Sequence, residues 1–346
     1  MHSEQAFEQF VARVRAQVDA RLSRWLDVRL TEGRARGSDV EAVAGAVREL
    51  ALRGGKRMRA VLLAAAYEAC GGKGGAQAVV AAGVALELLQ AYLLVHDDWM
   101  DGDEVRRGGP SVPAMMRARF ARHADAASVL AGDLAAAWSH QALLELELPA
   151  ACVLAAAREL ARVEEAVVQG QLLDVSGAAR DAREVESVHT LKTASYTVRG
   201  PVVMGARLAA ASEAQVAALA AFAEPLGVAF QLRDDVLGAF GDARAMGKPA
   251  GGDLRKGKRT ALVVDALRDA RAAEALGRVL GVSDAAEHDV TAAVASLEAC
   301  GARARVEERI ATLVREARAH LGAVQLAPAG RALLEQAVAA LTVRER

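Results

Sequence analysis

Aromatic residues make up only 3% of this 346-residue chain, although 53% of it is hydrophobic. No stretch sustains the apolar/polar alternation, with β-branched and aromatic enrichment, that a sheet needs, so a nearly all-α chain is expected. Cysteine is scarce too. Cys70, Cys152 and Cys300 are odd in number and far apart, which gives neither a metal-ligand spacing nor a disulfide framework and reads as reduced thiols in a cytoplasmic protein. Net charge is nearly absent, at −1, so no global field points to nucleic acid as a partner. The N-terminus, MHSEQAFEQFVARVR, is polar and charged and does not read as a signal peptide.

What the chain has in quantity is alanine, a strong helix former, with apolar residues at helical spacing. Phe7, Phe10, Val11, Val14, Val18, Leu22, Trp25 and Leu26 predict a helix over about 3–32. Further helices are expected over about 40–52, from 58, over 76–95, 113–120, 126–146 and 150–175, after the His189–Tyr196 stretch to about 211, and from 213. The last contains Pro225, a residue that kinks a helix interior. The length suffices for one large core, and a single all-helical domain over 1–346 is expected. The run from Ala76 to Val95 is long and apolar enough to cross a bilayer. It is also Ala-rich, contains Glu87 and Gln90, and runs straight into His96-Asp97-Asp98. It reads as a helix buried all round, not as an integral membrane segment.

That helix delivers Asp97, Asp98 and Asp101 at its polar end. Asp97 and Asp101 are four apart and share a face, so they repel unless a cation lies between them. Oxygen ligands without a thiolate suit Mg²⁺. Arg106 and Arg107 follow in a Gly/Pro-rich loop, where side chains can converge on an anion. Upstream, Gly54 and Gly55 permit a sharp turn and close approach. Lys56, Arg57 and Arg59 then enter a helix N-terminus, which favours anions; the alternative is a solvated basic turn. Gly71 to Gly75, GGKGG, reads as a plain loop. Gln171 and Asp174 end a helix and either face a polar cavity or lie exposed. Lys192, beside Thr193, either snorkels to water or meets an anion inside. A second acidic pair, Asp234 and Asp235, ends another apolar helix, with Gln231 on the face of Asp234. The Gly-rich, basic segment over 240–262, containing Lys248 and Lys258, reads as a long functional loop. A helix C-terminus disfavours negative charge, and two carboxylate clusters placed there imply bound cations. The rest, from about 260, reads as charged amphipathic helices without chemistry.

GGKRMR, ELLQAYLLVHDDWMDGDEVRRGGPSVP, LKTASYT, FQLRDD and GKPAGGDLRKGKRT resemble, in order, the conserved blocks of the trans-isoprenyl diphosphate synthases, the polyprenyl synthetase family. The resemblance covers about 54–260. It implies an all-α isoprenoid synthase fold, a homodimer, and a site in a central helical cavity. It also implies three Mg²⁺ per site, replaceable by Mn²⁺, held by Asp97 and Asp101 with Asp98 supporting, and by Asp234 with Asp235. Arg106, Lys192 and Lys248 match positions that hold the allylic diphosphate (dimethylallyl, geranyl or farnesyl). Gly55, Lys56, Arg59, Gln90 and Arg107 match the site for isopentenyl diphosphate, and Lys258 a position near the allylic and metal-bound phosphates. The implied reaction is ionisation of the allylic C–O bond, attack by the isopentenyl double bond, and loss of a proton to the departing diphosphate. Metals and cationic side chains offset the charge on the leaving group. Thr193 and Gln231 turn oxygen dipoles to the carbocation, and a dry cavity keeps it from water.

One departure is Gly238, where many members carry a third aspartate; whether Asp242 compensates stays open. Chain length is expected to depend on Leu89, Tyr92 and Leu93, below Asp97 on its helix. Tyr92 is either a floor that stops growth or a core tyrosine whose hydroxyl finds a partner. Members with an aromatic five residues before the first aspartate and none at the fourth usually make C20 products, so geranylgeranyl diphosphate is expected, with farnesyl or longer prenyl diphosphates as alternatives. A terpene cyclase and a non-catalytic synthase subunit are the rival readings. The second Asp-Asp pair and GGKRMR argue against the first, and two intact acidic clusters against the second.

Overall fold

A computed structural model describes residues 2–177, 179–241 and 251–343. The alanine-rich pattern gives long helices punctuated by residues that suit their ends. Helix α1 (His2–Arg36) is longer than its apolar spacing predicts and is separated from α2 (Ser38–Leu52) by Gly37 alone. Then come α3 (Met58–Ala69), a 3₁₀ turn (Gly75–Val79) and α4 (Val80–Asp101). A hairpin of β1 (Val105–Arg106) and β2 (Gly109–Pro110) follows. The chain continues through α5 (Val112–Phe120), α6 (Ala124–Leu144), α7 (Ala150–Val175) and α8 (Ala182–His189). Next are a π-helical segment (Thr190–Arg199), α9 (Gly200–Leu208) and α10 (Glu213–Phe240). The last elements are α11 (Gly252–Arg255), α12 (Ala261–Ala266), α13 (Ala270–Gly277), α14 (Glu287–Ala299), α15 (Ala302–Ala323) and α16 (Pro328–Thr342).

Polar side chains start several of these helices by satisfying N–H groups that have no partner within the helix. Ser111 accepts from Ala114, Asp181 from Glu184, and Ser212 forms a reciprocal capping box with Gln215. Helix α10 runs unbroken through Pro225, whose missing N–H removes one hydrogen bond from the interior.

Three expectations change. The Gly/Pro-rich loop expected after α4 holds a two-residue antiparallel ladder, the one sheet among the described residues. The helix expected after Tyr196 is preceded by helical structure from Ala182 onward, which is π-helical over Thr190–Arg199. The loop over 240–262 holds a helical turn, α11.

The chain divides into two contact units. The first comprises residues 1–158, 201–211 and 326–333. In it α4 packs along α6, α3 and α1, and Trp25 meets Trp138 edge-on at 5.8 Å. Of the most apolar stretch ending in α4, 72% is buried inside the protein, as the core-helix reading requires. The second unit comprises residues 159–200, 212–325 and 334–346. Helix α10 packs there against α15 and the π-helical segment, around a core that includes Val188, Ala194, Val228, Leu232 and Leu313. Helix α10 also has the length and apolarity of a membrane span, with half of that stretch buried.

Candidate active site

The end of α4 sets the first acidic cluster. Gly102 is left-handed (φ 66) and closes the helix, and the Asp103 N–H returns to the Asp98 carbonyl at 2.9 Å, the reversal used at glycine-capped helix ends. The three carboxylates then go separate ways. Asp98 is fully buried. Arg106 Nε donates to its Oδ1 at 2.6 Å, and Nη2 contacts the same oxygen. Arg106 also reaches Asp103 Oδ2 at 3.1 Å and lies 3.6 Å from Asp97 Oδ2. Burial pushes the Asp98 carboxyl up, against the pull of Arg106. Asp98 therefore seats Arg106, whereas Asp97 is half-buried and Asp101 exposed.

Arg106 and Arg107 stand on the β1–β2 hairpin. Its two-residue loop, Arg107-Gly108, has positive φ at both positions (52 and 73), the pattern of a type I′ turn. Arg107 Nη1 donates to the Gly54 carbonyl at 3.1 Å. Gly54 and Gly55 both have positive φ (84 and 135), as the expected sharp turn demands. The three cations that follow are not equivalent. Arg57 is only 4% exposed and donates to Glu87 at 2.5 Å, Asp19 at 2.8 Å and the Ala51 carbonyl at 2.9 Å. Burial opposes its charge, but Glu87 and Asp19 outweigh that and raise its pKa. Lys56 is exposed and Arg59 half-buried, so these two are the cations within reach of a ligand.

On α4, Gln90, Tyr92 and Leu93 are half-buried, whereas Leu89 belongs to the core. The Tyr92 ring meets His96 edge-on at 4.9 Å. His96 in turn lies 3.0 Å from the Val129 carbonyl on α6.

In the second unit, Lys192 and Thr193 lie on the π-helical segment. A Cβ at Gly170 on α7 would stand 2.3 Å from the Lys192 backbone nitrogen, so this approach requires glycine. Lys192 Nζ donates to Asp174 Oδ2 at 2.5 Å. The two open readings answer each other: the anion Lys192 meets is Asp174. On α10, Asp234 is exposed and Asp235 buried. Gln231 Nε2 donates to Asp235 Oδ1 at 2.8 Å, so Gln231 engages Asp235 rather than its expected face-mate Asp234. Asp235 Oδ2 accepts no hydrogen bond, with His189 Nε2 3.3 Å away. Burial pushes the Asp235 carboxyl up to about 8 and the His189 imidazole down to about 4.

Asp253 was not singled out by sequence reasoning, because it falls in a stretch that reads as loop. Its Oδ2 lies 2.8 Å from where a Cβ at Gly238 would stand, and its Oδ1 is 3.8 Å from Lys258 Nζ. A carboxylate thus does come to Gly238, from α11. Asp242 and Lys248 lie outside the described residues.

The donor set fits Mg²⁺. All candidates are carboxylate oxygens, as a hard cation prefers. Asp98 Oδ2 and Asp235 Oδ2 are buried without a hydrogen-bond donor, a cost that a nearby cation offsets. Among the described residues no three acidic, His or Cys side chains converge enough to enclose an ion. Mg²⁺ suits such a site, since it binds through one or two carboxylates and completes its shell with water and substrate phosphate.

Residues 40–297 match the family model described as Polyprenyl synthetase. The chain belongs to the polyprenyl synthetase family. It is a trans-prenyltransferase. The synthase is 30% identical over 299 residues to the geranylgeranyl diphosphate synthase of Methanosarcina mazei, covering 85% of this chain and 88% of that one. It is 34% identical over 257 residues to the (2E,6E)-farnesyl diphosphate synthase of Mycobacterium tuberculosis, covering 71% and 67% of the two chains. The crystal structure of geranylgeranyl pyrophosphate synthase from Corynebacterium glutamicum, complexed with isoprenyl diphosphate and magnesium, is similar with a TM-score of 0.87 at 32% identity, covering 98% of this synthase and 99% of that chain. The all-α isoprenoid synthase fold expected from the sequence is the fold of this synthase.

Proposed function

We propose that the synthase condenses isopentenyl diphosphate with an allylic diphosphate (dimethylallyl, geranyl or farnesyl) to make geranylgeranyl diphosphate. The observation that carries the proposal is the division of labour at the end of α4. Asp98 is buried under Arg106, which leaves Asp97 and Asp101, one turn apart, as accessible carboxylates. Asp97, Asp101 and Asp234 serve as Mg²⁺ ligands, supported by Asp98 and Asp235, with three ions per site and Mn²⁺ as a substitute. Bound Mg²⁺ supplies positive charge against the departing diphosphate. Arg106, Lys192, Lys248 and Lys258 hold the allylic diphosphate and stabilise it as a leaving group. Gly55, Lys56, Arg59, Gln90 and Arg107 hold isopentenyl diphosphate, and Thr193 and Gln231 orient dipoles towards the carbocation. The active form is a cytoplasmic homodimer. The test is product analysis by mass spectrometry with each allylic primer, with and without isopentenyl diphosphate. Products formed from the allylic substrate alone would favour a terpene cyclase.

The two sets of cations can be separated kinetically. Lys56→Ala is expected to raise the KM for isopentenyl diphosphate by about ten- to a hundredfold, the weight of one charge-assisted contact. Lys192→Ala should instead impair the allylic side. A Lys56→Ala enzyme weakened only towards the allylic substrate would overturn this assignment.

Tyr92 favours a C20 product. It is half-buried, five residues before Asp97 and about 7.5 Å deeper along the helix at 1.5 Å per residue, with the smaller Leu93 beside it. Tyr92→Ala is expected to shift the product spectrum beyond C20. An active variant with unchanged products would place the floor elsewhere.

A further inference from the structure

Arg53 stands just before the Gly54-Gly55 turn, and the roles proposed above leave it unused. Its side chain is only 12% exposed. Nη1 donates to two backbone carbonyls, Arg106 at 2.9 Å and Pro110 at 2.7 Å, so one group grips both strands of the hairpin. Nη2 is braced by Glu49 at 2.5 Å. The planar head lies against Gly109, where a Cβ would stand 2.6 Å from Cζ and 2.8 Å from Nη2. A return contact runs from Arg107 Nη1 to the Gly54 carbonyl. An isolated two-stranded hairpin is marginal in water, and a ladder of two residue pairs has little to fix it from within. The Arg106 head is held by Asp98 and Asp103, but its backbone is held by Arg53. An exposed Arg–Glu pair alone would contribute little; the two carbonyl bonds and the glycine seat make this a clamp.

We propose that Arg53 is a positioning residue for the diphosphate-binding arginines, fixing the hairpin that carries Arg106 and Arg107 against the turn that carries Gly55 and Lys56. The inference rests on the roles proposed for that hairpin and turn. Arg53 touches no substrate; it sets where other cations stand.

The test compares Arg53→Ala, Arg53→Lys, Gly109→Ala and the double variant Arg53→Ala/Gly109→Ala. Binding of inorganic diphosphate is measured by calorimetry, with steady-state KM and kcat for isopentenyl diphosphate and the melting temperature alongside. Arg53→Ala is expected to weaken diphosphate binding and raise KM by about tenfold or more, with kcat changed less. Lysine keeps the charge but lacks the second nitrogen that engages Glu49 and the planar head laid against Gly109, so Arg53→Lys should recover only part. Gly109→Ala keeps every charge and displaces only the guanidinium, yet should weaken binding like Arg53→Ala. The double variant should be no worse than Arg53→Ala alone. Unchanged diphosphate affinity in Gly109→Ala and Arg53→Lys would overturn the inference, and so would full additivity in the double variant. Those two variants decide the matter even where Arg53→Ala fails to fold. A parent enzyme that binds diphosphate without turnover would refute the proposed function instead, leaving the clamp to be judged on binding alone.

Discussion

Replacing Asp97 or Asp101 by alanine is expected to lower kcat about a hundred- to a thousandfold, the scale on which losing one preorganised electrostatic contact slows an enzyme. The melting temperature should stay close to that of the parent. Asp101 is exposed, and Asp97 is half-buried and only 3.6 Å from Arg106, which keeps Asp98 and Asp103 as partners when Asp97 is lost. Asp234→Ala should behave in the same way, because Asp234 is also exposed. Asp98→Ala should differ. It takes away the buried acceptor of Arg106, leaving Asp103 and Asp97, and is expected to lose stability as well as rate, by up to about 3–5 kcal/mol. Excess chelator should stop turnover by the parent enzyme. Full activity in chelator, or an Asp97→Ala enzyme as fast as the parent, would refute the metal assignment.

Loss of Glu87 or Arg57 is expected to be felt in the fold. The pair is almost wholly enclosed, with Arg57 4% and Glu87 2% exposed. Removing Arg57 strands the Glu87 charge away from water, and removing Glu87 leaves Arg57 with Asp19 alone as its carboxylate partner, at a cost of up to about 3–5 kcal/mol. Arg57 also supplies the left-handed residue that caps α3 (φ 51) and ties Asp19 of α1 to the Ala51 carbonyl of α2. Denaturant unfolding of Glu87→Ala and Arg57→Ala should show large losses in midpoint. Replacing Arg57 by Met together with Glu87 by Leu should recover part of the loss, since it leaves only half-buried Asp19 to be solvated. A Glu87→Ala enzyme as stable as the parent would show that the pair is not integral to the fold.

The apolar run that ends in HDDWMD announces α4, its burial and its carboxylates, because amphipathic logic works within one helix. What lay outside that logic depends on distant partners. Lys56, Arg57 and Arg59 look alike in sequence, yet Arg57 turns inward because Asp19 and Glu87, 38 and 30 residues away, meet it there. Glu87 argued against a membrane helix, but nothing nearby named the cation that neutralises it. Asp97 and Asp98 are neighbours with the same chemistry. Only the hairpin, which carries Arg106 back to Asp98, separates their roles. That hairpin was hidden because its turn is Arg-Gly, with Arg107 at positive φ, where Asn-Gly or Asp-Gly would have signalled it. Asp253 went unremarked because a one-turn helix leaves no periodicity to read.

The π-helical segment makes the length of the chain between 190 and 199, and not only its composition, part of what the enzyme needs. A π-helix closes its hydrogen bonds one residue further along than an α-helix does, so the stretch holds more residues than an α-helix would need for the same turns. Deleting a single residue there would let the backbone relax to α-helical winding. Because that winding needs fewer residues for the same turns, the backbone on either side would stay in phase, while side chains inside the stretch would shift from their places. The contacts made from inside the stretch, Lys192 with Asp174 at 2.5 Å and Ala194 against Gly227, are the ones such a deletion would disturb. A one-residue deletion there should therefore be felt at those two contacts more than in the packing of the helices on either side.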